Sequence, residues 1–174
     1  KTVYVRYGTL VVDDDGSANN GGASFNATSN ITAAYDMLGY SYDFFETSVA
    51  GDGPSISKME LYNAIIWVTG ESGNALSAND QTNLKTFLDK GDGRYLWLVG
   101  PRAVPNGDYT GASSFFRDYL RVGRVDNPVG QRTPSTVEGA YLDPVTHGAR
   151  YPASPTYSDA AHKLVPYNDG RGML

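Results

Sequence analysis

The chain has 174 residues, 40% of them hydrophobic and 19% charged. One domain of ordinary size fits that length, and the apolar share excludes disorder driven by charge. Fourteen basic against nineteen acidic residues leave a net charge of −5, which argues against a nucleic-acid surface, where a basic stripe does most of the binding. No apolar run approaches the roughly 20 residues of a membrane span. With no Cys, the chain lacks a thiol nucleophile, a Cys-type zinc site, an iron–sulfur cluster and any disulfide. The start at Lys1 without an initiator Met reads as a mature or excised chain. A Cys-free, Tyr-rich, Lys-poor composition leads us to expect an extracellular or cell-surface setting. Asn26-Ala27-Thr28 and Asn30-Ile31-Thr32 match the glycosylation sequon, a triplet that often arises by chance.

In chain order, Val3-Tyr4-Val5 and Thr9-Leu10-Val11-Val12 are β-rich. The second is a continuous apolar run of the kind buried on both faces of a parallel sheet. It is expected to end at Asp13-Asp14-Asp15-Gly16, a loop too charged for a core. Phe25 to Leu38 carries helical spacing, with Ile31, Ala34, Tyr35 and Leu38 on one stripe and Gly39 at the C′ position. Tyr42 to Phe45 reads as a second strand and Ser57 to Tyr62 as a helical turn. Ala64-Ile65-Ile66-Trp67-Val68 is the strongest strand. Ser77 with Asp80 at N3 forms a capping-box variant before the stripe of Leu84, Phe87 and Leu88, and Gly91 closes that helix. Tyr95-Leu96-Trp97-Leu98-Val99 is expected to be a fourth buried strand. Ser113 to Leu120 reads as a helix and Val122 to Val125 as a further strand.

Strands alternating with helices predict an α/β, three-layer, flavodoxin-like (Rossmann-like) parallel sheet in the order 2-1-3-4. Composition changes at Asn127, and six of the nine prolines lie in residues 128–174. We therefore expect a flavodoxin-like domain over residues 1–126. Residues 127–174 are expected to form an irregular Pro-rich wrap, a β-rich excursion such as Val137 to Leu142, or the start of a neighbouring element.

In a 2-1-3-4 sheet the crevice lies beyond the carboxyl ends of strands 1 and 3. Asp13, Asp14 and Asp15 from one loop and Glu71 from the other are expected to converge there. Clustered carboxylates raise one another's pKa unless a cation neutralises them, and hard oxygen ligands suit Ca²⁺ or Mg²⁺. Ca²⁺ fits the flexible Gly- and Asn-rich loop better, with Asn19 and Asn20 as neutral ligands. The plainer expectation is a solvated strand end. Arg102 is placed either to bind an anion or to pair with these acids. His147 and His162 stand alone in the Pro-rich tail, with no zinc-binding spacing. The late tyrosines, Tyr109, Tyr119, Tyr141, Tyr151, Tyr157 and Tyr167, read as packing for a long wrapping segment.

Leu10 to Ser17 resembles the first motif of haloacid-dehalogenase-like phosphatases. That resemblance implies Asp13 as phosphoryl acceptor, Asp15 as general acid and Thr69 as a phosphate-binding hydroxyl. It departs from the family at Gly100-Pro101-Arg102, where magnesium-binding acids belong. A wider pattern runs through Val11 to Gly16, Leu38-Gly39-Tyr40-Ser41-Tyr42-Asp43, Tyr62 to Gly70, Leu76 to Asp80, Phe87 to Gly91 and Tyr95 to Gly100. It is similar to class I glutamine-amidotransferase-like domains, including the ThuA-like branch. Such domains occur inside large exported proteins such as immune inhibitor A-type and subtilisin-like peptidases. The resemblance covers about residues 9–100 and implies a secreted accessory domain contacting other domains of its own polypeptide. Enzymes of that fold carry a Cys or Ser nucleophile on a sharp turn. Here there is no Cys, and Ser72 in Thr69-Gly70-Glu71-Ser72-Gly73 misses the Gly-x-Ser-x-Gly pattern by one residue. Two functions follow as expectations. The preferred one is a non-catalytic interaction domain with no certain cofactor. The alternative is a phosphate-ester, acyl-ester or peptide hydrolase using Asp13, Asp15, Thr69 and Ser72.

Overall fold

A computed structural model describes residues 7–14, 27–47, 51–69, 76–91, 93–100, 103–104, 107–111, 113–126, 136–138, 150–152 and 163–166. In chain order the first elements are β1 (Tyr7–Asp14), α1 (Ala27–Leu38), β2 (Tyr42–Glu46), α2 (Ile56–Met59), β3 (Tyr62–Thr69), α3 (Ala78–Asp89) and β4 (Tyr95–Val99). They belong to the first of two compact units, residues 1–105. All four strands pair in parallel in the order β2-β1-β3-β4, the flavodoxin-like order the alternation predicts. The two continuous apolar runs take the two central positions. Leu10, Val11, Val12, Ile65, Trp67 and Val68 are fully buried there.

Side chains alternate between the faces of a strand, so the register sorts the sheet into two surfaces. Val11, Ile66 and Val68 form a cluster on one face, and Ile31 and Tyr35 of α1 pack on it together with Tyr42. Tyr35 continues into edge-to-face contacts with Tyr40 and Tyr42. The other face carries Leu10, Val12, Ile65 and Trp67. Against Trp67 lie Gly53, in the loop before α2, and Asp80 of α3. Met59 of α2 and Leu84 and Phe87 of α3 are buried as well. Helix α3 starts as its sequence predicts. Ser77 Oγ accepts from Asp80 N at 3.1 Å, and Asp80 Oδ2 accepts from Ser77 N at 3.0 Å, a full capping box. Gly39 and Gly91 follow their helices with φ of 69° and 58°, the left-handed conformation that ends a helix without Cβ strain.

Five local expectations need correction. Strand β1 does not stop at Val12 but runs through Asp13 and Asp14, because Asp14 finds donors on neighbouring elements. The helical turn is Ile56–Met59, and Tyr62 belongs instead to β3. There the Tyr62 hydroxyl donates to Asp43 Oδ2 at 2.6 Å. On α1, Ala34 and Leu38 of the expected stripe are exposed, and only Ile31 and Tyr35 are half-buried. Strand β4 is not buried on both faces: Tyr95 and Trp97 are 66% and 56% exposed, since the strand lies at a sheet edge. The helix expected over Ser113 to Leu120 is a single turn, α4 (Phe115–Asp118).

The second unit spans residues 106–174, so the change of composition at Asn127 falls inside it. Besides α4 it contains β5 (Gly107–Asp108), β6 (Val122–Asp126), β7 (Thr136–Glu138), β8 (Arg150–Pro152) and β9 (Lys163–Pro166). Its strands pair antiparallel, β5-β6-β9 in one sheet and β7-β8 in another. Phe115 and Phe116 are buried and make ring contacts with Tyr119 and Tyr109. Burial pushes the Tyr109 hydroxyl's pKa up. The hydrogen bond from Arg117, then that from Ser113, hold the Asp118 carboxyl below its usual range. Val3-Tyr4-Val5 lies outside the described residues.

Candidate functional site

The carboxyl edge of the sheet gathers three strand ends. Asp13 and Asp14 of β1 stand beside Val68 and Thr69 of β3, and Asp13 also stands beside Glu46 of β2. This is where the strand order reverses and where open α/β sheets take ligands. Of the residues the sequence singles out, Asp13, Asp14 and Thr69 are described. Asp15, Asn19, Asn20, Glu71, Ser72, Arg102, His147 and His162 lie outside the described residues.

Asp14 is held by the protein itself. Its Oδ1 accepts from Thr47 Oγ1 at 2.9 Å and its Oδ2 from Trp67 Nε1 at 3.0 Å. Thr47, the residue after β2, donates to Asp13 O twice, from its backbone N at 2.9 Å and from its hydroxyl at 3.1 Å. One carboxylate and one threonine thus lock the ends of β2, β1 and β3 together. The indole explains the choice of acid: a fully buried Trp carries an N–H that needs an acceptor. Asp14 projects on the Trp67 face.

Strand alternation sends Asp13 to the opposite face, the one under α1. There its register neighbour is Glu46, placed about 5 Å away by the strand spacing. The two acids read from the sequence as joint ligands therefore diverge, and the acid beside Asp13 is one the sequence reading passed over. Among the described residues, no group of three or more His, Cys, Asp or Glu is placed to hold a metal ion.

Thr69 is 2% exposed. Its hydroxyl points to Val99 O at 3.4 Å, and Gly100 lies directly on it. A Cβ at Gly100 would overlap Thr69 O and Oγ1. The end of β4 thus covers the hydroxyl that the phosphatase-like motif assigns to phosphate.

A second polar group supports this edge from the α3 side. Asp80, 2% exposed, accepts from Gly53 N at 2.8 Å through Oδ1, the oxygen not used by the capping box. Gly53 sits so close to Trp67 that a Cβ would overlap the indole. Next to it, Asp52 accepts from Ser77 Oγ and Asn79 Nδ2, each at 2.7 Å. The Asn79 bond, then the Ser77 bond, hold the Asp52 carboxyl below its usual range. The loop before α2 is thereby fastened to the start of α3 with Trp67 beneath it. Two signals for this arrangement were present in the sequence. The capping box fixed Asp80, and a Trp inside an otherwise apolar strand required an acceptor.

No protein-family model, curated protein or solved structure matches the chain. Strand order alone assigns the flavodoxin-like class.

The α1 side of the sheet differs in its surface. Seven large apolar side chains are exposed among the described residues. Phe44, Tyr95 and Trp97 stand on the face under α1 by register, and Met37, Leu38 and Tyr40 lie at the carboxyl end of α1. Leu61 is the remaining one. Isolated surface apolar residues are ordinary; here six of the seven lie on the α1 side, on the two edge strands and at the end of α1.

Proposed function

We propose that the chain is a non-catalytic accessory domain of a larger secreted protein, in which the flavodoxin-like sheet is a scaffold for contact with other domains of the same polypeptide. The exposed apolar set on the α1 side carries this reading, because a scaffold that only had to fold would cover it. The engagement of Asp14 and Thr69 in holding strand ends agrees with it. So does a sequence with no Cys and no complete nucleophile motif. The Cys-free, Tyr-rich composition supports the extracellular setting. The resemblance to amidotransferase-like domains of exported peptidase-containing proteins supplies the kind of host.

The test has two arms. The chain is assayed against phosphate-ester, acyl-ester and peptide substrates, with no turnover expected. Turnover that disappears in a folded Asp13→Asn variant would overturn the reading in favour of a hydrolase. In the second arm, amide exchange over Tyr40–Glu46 is compared between the chain alone and the chain within its longer polypeptide. Slower exchange in the longer form is expected, and equal exchange counts against contact at this surface.

A further inference from the structure

We infer that the chain pairs with a second copy of itself through the outer edge of β4, forming a two-fold symmetric dimer with antiparallel β4 strands. The inference deepens the interaction-domain reading and rests on it for the meaning of the exposed surface. Its starting point is a difference between the two edges of the sheet. The β2 edge reads Tyr-Asp-Phe-Phe-Glu, and its exposed Asp43 and Glu46 are the kind of charge that keeps an edge from pairing with another chain. The β4 edge reads Tyr-Leu-Trp-Leu-Val, with no charge and no proline. Among the described residues it pairs with β3 alone. An edge strand otherwise presents an unmatched row of N–H and C=O groups, and its natural complement is another extended apolar strand.

The strand is its own complement. With a two-fold axis at Trp97, Trp97 stands opposite Trp97 of the second copy, Tyr95 opposite Val99, and Leu96 opposite Leu98. Every opposed pair is then apolar, and opposed side chains share a face. Tyr95, Trp97 and Val99 of both copies thus form one continuous row on the α1 side. The geometry closes, as an isologous contact must. Joining β4 to a β2 edge would instead set Asp43 and Glu46 beside apolar positions and generate an open chain of copies. The contact is small. Covering the exposed parts of Tyr95 and Trp97 removes on the order of 300 Å² per copy, which places the contact below the standard size of specific interfaces. The dimer is therefore a weak one, favoured at high protein concentration.

Sedimentation velocity of the whole chain, from low micromolar to several hundred micromolar, tests this. A monomer that converts to a dimer with rising concentration is expected. Trp97→Lys and, separately, Tyr95→Lys should abolish the dimer, each placing two like charges in the new seam. Phe44→Lys, a comparable change on the face near the β2 edge, should leave it intact. Thermal melting followed by circular dichroism shows that each variant is folded, and two independent lysine positions guard against a single misfolded one. A chain that is monomeric throughout overturns the inference. So does a dimer that survives both β4 variants, or one lost in Phe44→Lys. Turnover in the substrate screen would break the accessory-domain reading without touching this dimer. A strict monomer would break the dimer without touching that reading.

Discussion

The two faces of the parallel sheet share the same four strands and differ in what covers them. On the α3 side, Trp67, Leu84, Phe87 and Met59 are all fully buried, and the loop before α2 is bonded to the start of α3. On the α1 side, the helix packs Ile31 and Tyr35 on the sheet only half-buried, and the flanking strands leave Phe44, Tyr95 and Trp97 at the surface. Apolar burial stabilises by roughly 25 cal/mol per Å² removed from water, so among the described residues the α3 side gains more from its covering helices than the α1 side does. A parallel sheet is expected to be covered on both faces. Among the described residues, only the α3 side meets that expectation in full.

This division can be broken by mutation. Phe87→Ala, on the α3 side, should cost about 3–5 kcal/mol, the usual toll of emptying a fully buried aromatic site. Ile31→Ala on α1 should cost no more than about 2 kcal/mol, since its side chain is only half-buried. Urea unfolding of both variants measures this, and equal losses would erase the distinction between the faces. A smaller effect sharpens the account of the carboxyl edge. Asp14→Ala leaves the buried Trp67 N–H without its acceptor and the Thr47 hydroxyl with only Asp13 O, and should cost about 1–3 kcal/mol. Asp14→Asn keeps an oxygen for the indole and can donate to the threonine, so it should cost less. The reverse order would remove Asp14 from its proposed part in holding the strands.

The smallest effect concerns the bond between the loop and α3. The Asp52 carboxyl titrates below its ordinary value of 3.8 because Asn79 and Ser77 donate to it. A folded-state pKa lower than the unfolded one means that the unfolded chain binds the proton more readily. The stabilisation is therefore present above about pH 4 and fades as pH falls through the folded value. Comparing the parent with Asp52→Asn, the difference in urea midpoint should be visible at neutral pH and shrink in acid. Full exposure of Asp52 keeps it small. A difference that grew on acidification would contradict the assignment.

Much of the fold was legible because apolar runs of strand length separated by helical stripes have few compatible arrangements. Leu10–Val12 and Ala64–Val68 read as central strands and are central. Tyr95–Val99 has the same apolar character and read the same way, yet lies at an edge. Apolarity records a preference for burial, whereas position in the sheet depends on which neighbours the connections supply. The stripe on α1 misled for a similar reason: Leu38 has the right spacing but lies at the end of its helix. At the carboxyl edge, the sequence brought Asp13 and Asp14 together as one charged loop. A single added fact, that β1 continues to Asp14, turns adjacent loop residues into alternating strand residues and parts them. Thr47 and Glu46 were invisible as members of this edge because their place follows from the register of β2 against β1, which no local pattern encodes.

The chain has two tryptophans, and they lie at opposite extremes. Trp67 is fully buried with its N–H on a carboxylate, whereas Trp97 is more than half exposed. Their fluorescence should therefore separate into a blue component that persists until the core melts and a red component quenched by collision with solutes in water. One molecule thus carries two built-in optical reporters, one for folding and one for occupancy of its β4 edge. Each can be followed without a label.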